Sequence, residues 1–377
     1  MNRDYQVCSN CVMDTSDSLI QFDQNGVCDH CNNYYNNILP NWHPDRAGGK
    51  KLDETVAKIK KDGQGKQYDC IIGLSGGMDS SYLAYYAIEI LGLRPLIFAV
   101  DTGWNLNVAV ENIEKVVKGL NTDLCTEIVD WNEMKDLQLA YFKAQVPYQD
   151  TPQDHVIFAS LYNYAAKNGI KYVLTGANYS TECVREPNEW VYLNDLRQIK
   201  DIHKKFGKRL LKTLPLCGMF KYRLYYRYVK GMRIVQPLNL ISYKKQDAIK
   251  TLNERFGWQP YENKHFESIF TRFYEGHWLI KKFGYDKRRA HFSSLILTGQ
   301  LSREEALEKI SHPPYGESQA MQDLEYVAKK LGVSKEEFIV MMNGENKTFR
   351  DYKNIAGISN AAIKLAILVG MEKRQFR

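Results

Sequence analysis

Tyr68-Asp69-Cys70-Ile71-Ile72-Gly73-Leu74-Ser75-Gly76-Gly77-Met78-Asp79-Ser80 is the stretch that decides the fold. Tyr68 to Leu74 is a short apolar run bounded by turn signals, which reads as a strand buried on both faces. A glycine turn ends it, and Asp79–Leu91 reads as a helix closed by Gly92. Working outward, the pattern repeats. Pro95–Val100, Cys125–Val129 and Tyr172–Leu174 read as strands, with Val108–Gly119 and Val156–Asn168 as helices between them. Upstream, Lys51–Lys61 reads as a helix with Leu52, Thr55, Val56 and Ile59 on one face. This alternation predicts an α/β protein with a doubly wound parallel sheet and right-handed crossovers.

Beyond Pro237 the pattern turns helical: Lys244–Phe256, then helices opened by the capping boxes Ser302-Arg303-Glu304-Glu305 and Ser334-Lys335-Glu336-Glu337, and finally Ile358–Glu372. The expected organisation is a zinc-binding four-cysteine knuckle and linker over residues 1–49. A nucleotide domain follows over 50–243, then a helical C-terminal substrate or partner region over 244–377.

The 377 residues are 44% hydrophobic and 25% charged, which excludes wholesale disorder and fibrous repeats. No apolar run approaches the roughly 20 residues of a membrane span. Met1–Tyr5 has no apolar signal core, so the expected location is the cytoplasm. Lys plus Arg number 51 against 44 Asp plus Glu, a formal net charge of +7. That mild excess permits an anionic ligand without demanding nucleic acid. The basic residues are uneven: Lys200–Arg233 holds eleven Lys and Arg against one acid, Asp201, with Tyr222, Tyr225, Tyr226, Tyr228 and the flanking Tyr243. Such a segment suits an anion site, a nucleic-acid surface, a partner face or a solvated face.

Cys8-x2-Cys11 and Cys28-x2-Cys31, sixteen residues apart, have the spacing of a structural zinc site. Four thiolates leave no open coordination position, so the site is assigned to folding rather than catalysis. His30 is expected to face solvent.

Ser75–Ser80 lies where a strand meets a helix N-terminus. Its glycines let backbone N–H groups approach an anion, and the helix end adds positive potential. Asp79 is out of place beside phosphate unless a cation joins it, which implies Mg²⁺. The absence of Gly-Lys-Ser/Thr excludes a Walker A loop.

Ser-Gly-Gly-Met-Asp-Ser resembles the PP-loop of the ATP pyrophosphatases, which include asparagine synthetases, GMP synthetases and tRNA thiolases. The resemblance implies an adenine-nucleotide α-hydrolase-like fold that cleaves ATP to AMP and pyrophosphate. It places Ser75, Gly76, Gly77, Asp79, Ser80, Val100, Asp101, Gly176 and Asn178 at ATP. Acidic positions common in relatives are Ser180 and Thr181 here, so Glu182 is the nearest partner for Asp79 at Mg²⁺.

Nearly the whole chain is similar to the N-acetyl-sugar amidotransferases of lipopolysaccharide O-antigen and nonulosonic acid biosynthesis. The similarity runs through the cysteine pairs, the PP-loop, Pro152-Gln153-Asp154-His155, Gly176–Glu182, and His265–Ser268 on to Lys282–His291. It implies conversion of an acetamido group on a nucleotide-activated sugar, first of all UDP-2,3-diacetamido-2,3-dideoxy-mannuronic acid, to an acetamidino group through an adenylated intermediate. His265, Arg272, Lys287 and Arg288 are then the expected substrate contacts. Asp79, His155, Glu267 and His291 are the expected catalytic groups. No glutaminase nucleophile is legible, so ammonia is expected from a glutaminase subunit working with a cyclase-like barrel subunit. The rival readings are a tRNA thiolase, disfavoured because Cys70, Cys125, Cys183 and Cys217 form no CxxC pair, a ligase making an amide or nitrile, and a non-catalytic glutaminase-binding scaffold.

Overall fold

The computed structural model describes residues 4–187, 189–190, 195–358 and 361. Its centre is a five-stranded parallel sheet of β1 (Cys70–Gly73), β2 (Pro95–Asp101), β3 (Leu124–Ile128), β4 (Tyr172–Leu174) and β5 (Arg233–Val235), in the order β3-β2-β1-β4-β5. Ile71 pairs in register with Leu96 on one side and Val173 on the other. The apolar run of β1 is explained by its two faces. Cys70, Ile72 and Leu74 enter one core, whereas Ile71 enters a second core on the opposite side. Full burial of such an aliphatic side chain contributes about 1.5–3 kcal/mol.

On the first face pack α2 (Arg46–Asp62), α3 (Met78–Tyr85, continuing as a π-helical turn to Ile90), α4 (Asn107–Leu120) and α9 (Lys245–Phe256). That core takes in Ala248, Leu252 and Trp258, from beyond residue 243. The second face is covered by α6 (Thr151–Lys167) and the π-helix Lys221–Val229. The four expected strands and the helices between them are present, with ends displaced by a few residues. Helix α2 begins earlier than Lys51 because Asp45 caps it, accepting from the N–H groups of Ala47 and Gly48. Several elements were not anticipated, among them the helices Leu196–Phe206 and Glu317–Leu331. Helix α5 (Trp131–Lys143) is capped by Asp130, and β5 is a three-residue edge strand too short to carry a periodic signal. Both capping boxes, at Ser302 and Ser334, are formed. The helix expected over Ile358–Glu372 lies almost entirely outside the described residues. Among them, no helix is long and apolar enough to cross a membrane.

Val12, Met13 and the four paired cysteines are fully buried. Their segment packs on Val184, Trp190, Ala290 and Leu297. The Arg289 guanidinium pairs with Asp14 at 3.0 Å and donates to the Val12 carbonyl at 2.8 Å. Arg303 donates to the carbonyls of Cys8 at 2.8 Å and Cys11 at 3.1 Å. The N-terminal knuckle is thus clamped to helices α12 (Arg288–Leu297) and α13 (Arg303–Ser311). His30 does not face solvent: its ring lies 2.8 Å from Asp17 and is 10% exposed.

Candidate active site at the carboxyl ends of β1 and β4

The strand order reverses between β1 and β4, and at such a switch point the loops that follow the strands part to leave a crevice. The loop after β1 is Ser75–Ser80, and the loop after β4 is Thr175–Asn178. Gly76 has φ +82°, and a Cβ there would stand 2.6 Å from the Ala109 carbonyl oxygen. Only glycine fits. The Gly76 carbonyl accepts from Trp258 Nε1 at 3.0 Å and Tyr261 Oη at 3.1 Å, so this oxygen is already engaged within the protein. Gly77 caps α3 without a side chain, leaving the first N–H groups of that helix uncapped by any side chain. Ser75 Oγ and Ser80 Oγ lie 3.3 Å apart within the same loop. These are the features of an anion cradle.

Asp79 is gripped from several elements. Tyr243 donates to its Oδ1 at 2.6 Å and Asn178 Nδ2 at 3.2 Å. Gly176 lets the second loop close on it, since a Cβ at Gly176 would stand 2.9 Å from the Asp79 carbonyl carbon. Lys264 Nζ lies 3.3 Å from Asp79 Oδ2 and 2.6 Å from Glu182 Oε1. Burial would lower the lysine's pKa, but the two carboxylates outweigh it and hold Lys264 above its usual value. Asp79 and Glu182 therefore already flank one cation, and an oxygen-donor pair of this kind fits a magnesium ion. Val100 and Asp101 end β2, where Asp101 Oδ1 accepts from Gly103 N at 2.7 Å.

A second charged group continues from Lys264. His265 is held at φ +64°, a left-handed conformation sparsely populated outside glycine, and its ring centre is 5.5 Å from that of His291. Burial and the neighbouring cations depress the His265 pKa well below the ordinary range. Lys287 is clamped by Glu275 at 2.5 Å and Glu186 at 3.1 Å, and His291 faces Glu186 at 3.6 Å. Burial opposes ionisation of Glu186, yet Lys287 and His291 hold its pKa at about 2. Asp154, at the start of α6, is pushed up to about 7 by burial against the pull of Lys287. Glu267 is likewise pushed up to about 7, chiefly by burial. Its Oε1 would be 3.2 Å from a Cβ on Gly77, which puts a carboxyl of ambivalent protonation directly against the loop.

The structure thus brings Asp79, Gly176, Asn178, Glu182 and Glu267 to the loop, and Lys287, His265 and His291 to the adjoining group. It does not do so for three expected residues. Arg272 is engaged by Asp323 through two 2.8 Å contacts. Arg288 binds Asp286 and the carbonyls of Lys309 and His312 at the end of α13. Both guanidiniums are thus engaged within the protein. His155 is buried on the second face, where its Nε2 accepts from Cys217 N at 3.0 Å; it lines a cavity of about 50 Å³ with Phe158, Tyr162, Cys217 and Tyr222. Burial lowers its pKa to about 4, so it is neutral near pH 7. The sequence reading missed Lys264, Tyr243, Glu186, Glu275 and Asp154. Lys264 and Asp154 adjoin expected residues and could have been found by proximity, whereas Tyr243 and Glu186 carry no local signal.

The four cysteine sulfurs lie within 4.8 Å of one another. Contacts of 3.6 Å for Cys11–Cys28, 3.6 Å for Cys28–Cys31 and 3.9 Å for Cys8–Cys31 match the spacing of about 3.8 Å set by four 2.3 Å Zn–S bonds in a tetrahedron. The N–H groups of Cys11 and Cys28 point at Cys8 Sγ, at 3.4 and 3.2 Å, and stabilise thiolate there. The donor set fits a structural zinc ion.

Residues 267–365 match the family model described as LPS biosynthesis protein WbpG-like, C-terminal domain. MJ1599 of Methanocaldococcus jannaschii, an uncharacterized protein, is 25% identical over 211 residues, covering 55% of this chain and 73% of that one. NMN synthetase from Francisella tularensis is similar in structure at 15% identity and a TM-score of 0.32, over 75% of this chain and 94% of that one. The NH3-dependent NAD synthetase from Campylobacter jejuni follows at 14% identity and 0.31, over 79% and 97%. At such TM-scores these two likenesses carry no argument about chemistry. The chain is a parallel-sheet α/β protein whose Ser75–Ser80 loop, which resembles a PP-loop, lies at the switch point. Its similarity to the WbpG-like model is confined to residues 267–365.

Proposed function

We propose that this chain is an ATP-using amidotransferase of lipopolysaccharide biosynthesis, which turns an acetamido group of a nucleotide-activated sugar into an acetamidino group. The observation that carries the reading is the Ser75–Ser80 cradle, with Asp79 and Glu182 facing a shared cation position beside it. An acetamide is a poor electrophile with a poor leaving group. Attack of its oxygen on the α-phosphorus of ATP forms an O–P bond and releases pyrophosphate; attack of ammonia on the imidate carbon then expels AMP. The cradle's N–H groups hold the departing phosphates, joined by Lys264 when it is displaced from Asp79 and Glu182. Magnesium, when bound by Asp79 and Glu182, supplies charge neutralisation at those oxygens. Glu267 accepts a proton from the attacking nitrogen, its pKa matched to the working pH.

Asp79, Glu182, Glu267, Glu275, Glu186 and Asp154 share the site with Lys264, Lys287, Lys245 and His291. With Arg272 and Arg288 engaged elsewhere, the sugar's diphosphate and carboxylate are assigned to other residues. Ammonia comes from a glutaminase subunit with its cyclase-like partner, and the enzyme works in the cytoplasm. The proposed organisation keeps the knuckle over 1–49, the nucleotide domain over 50–243 and the acceptor and partner region over 244–377.

The test is an endpoint assay by mass spectrometry with ATP, Mg²⁺, a diacetamido UDP-sugar acid and ¹⁵N-ammonium. AMP, pyrophosphate and a sugar carrying labelled nitrogen in place of oxygen are expected together. AMP without labelled sugar overturns the acceptor. AMP release stimulated by tRNA alone overturns the reaction in favour of a thiolase.

A further inference from the structure

From residue 202 to residue 246 the sequence contains no Asp or Glu, yet it holds eight Lys and four Arg. Apart from Lys245, all of these cations are exposed. Inside this stretch lies the π-helix Lys221–Val229. One side of it is anchored: Tyr226 is buried, its hydroxyl donates to Asn163 Oδ1 at 2.6 Å, and Tyr222 packs on Tyr162. Among the described residues, none covers the other side. Phe220 is 80% exposed, Leu224 50%, Tyr228 66% and Val229 71%. In a π-helix, with its i to i+5 hydrogen bonds, residues four or five apart share a face, so these four side chains form one apolar ridge. Arg223, Arg227 and Lys230 flank it, Arg227 and Lys230 over the rings of Tyr228 and Tyr225, whereas Lys221 donates to Asn163 on the anchored side at 2.7 Å.

We propose that this ridge and its basic surroundings dock the protein on an anionic lipid surface. The chemistry is that of an interfacial helix: apolar side chains enter the acyl boundary, tyrosines sit at headgroup level, and cations meet anionic headgroups. Phe220, Leu224 and Val229 find no counterpart on a nucleic-acid backbone. A protein partner is disfavoured because a single-signed surface lacks the mixed charges that set register. This inference is independent of the proposed reaction.

The test is co-sedimentation of the full chain with extruded vesicles of phosphatidylcholine, with and without about 30% phosphatidylglycerol. Binding is expected at least about tenfold stronger to the anionic vesicles and should weaken as salt screens the headgroups. Phe220→Ala/Leu224→Ala/Tyr228→Ala and Arg223→Gln/Arg227→Gln/Lys230→Gln should each reduce it about tenfold or more, with an unchanged melting temperature. Absence of binding to anionic vesicles overturns the proposal, as does binding that neither variant alters. Loss of self-association in the ridge variant, measured by sedimentation velocity without lipid effects, assigns the ridge to a second copy instead. RNA binding that depends on the ridge residues, with no vesicle binding, assigns it to nucleic acid.

Discussion

Lys264 Nζ lies 3.3 Å from Asp79 Oδ2, and the same nitrogen lies 2.6 Å from Glu182. The ammonium holds the position between the two carboxylates that would receive magnesium. Replacing Lys264 with Met should lower pyrophosphate release about 100-fold, the scale of losing one preorganised charge at a transferring phosphoryl group. It should also lower the magnesium concentration for half-maximal rate, because a competing cation is gone. A rate within about twofold of wild type would remove Lys264 from the reaction.

Glu267 carries a folded-state pKa near 7 against an ordinary 4.5. The folded state therefore keeps its proton while the unfolded chain loses it between these values. Its stability contribution is complete below about pH 4.5 and is lost as pH rises to about 7. Glu267→Gln should match wild type in melting temperature near pH 5 and exceed it by pH 8. Parallel melting curves across that range would show that the carboxyl is not raised. In steady-state kinetics the same variant should lose the rise in rate centred near pH 7.

Gly76 and Gly49 separate conformational need from composition. Ala at Gly76 meets the Ala109 carbonyl and a left-handed φ, so it should destabilise by about 2–4 kcal/mol and abolish nucleotide binding. Ala at Gly49, inside α2 with open space around it, should stabilise by about 0.5–1 kcal/mol. Denaturant unfolding of the two variants reads both signs, and equal effects would contradict the loop geometry.

The cysteine site should hold one zinc per chain. Cys28→Ser should lose the metal and lower the melting temperature by about 10 °C, because several kcal/mol of metal binding are folding energy. ATP affinity, measured on the folded fraction, should change little. Iron in place of zinc in elemental analysis would overturn the assignment. Arg303→Ala should weaken the knuckle's docking with the metal retained, since its guanidinium joins the carbonyls of Cys8 and Cys11 to α13.

Much of the sheet was legible because its signals are local. A strand buried on both faces, such as β1, shows as a continuous apolar run, and the glycine turn after it must accept a positive φ. The cysteine spacing was local in the same sense. Strand β5 was not legible: at three residues on an edge, with Arg233 and Ile234 exposed, it has no pattern apart from its pairing with β4. Within the site, the same limit separated Asp79 from Tyr243. The aspartate sits in a motif, whereas the tyrosine reaches it only because α9 folds back onto α3.

By itself, the sequence determined the parallel α/β class, the anion-cradling loop and the thiolate set, because backbone permissiveness, apolar runs and ligand spacing are properties of neighbouring residues. The tertiary structure decided which charges are free. Arg272 and Arg288 resemble ligand contacts in one dimension, but in three Asp323 engages Arg272 and the carbonyls of Lys309 and His312 engage Arg288, beside the neighbouring Asp286. Lys264 looks ordinary in the chain, yet folding sets it between Asp79 and Glu182. A charge acts on whatever lies within a few ångströms, in a dielectric set by burial, and both of these are fixed only once distant segments have packed.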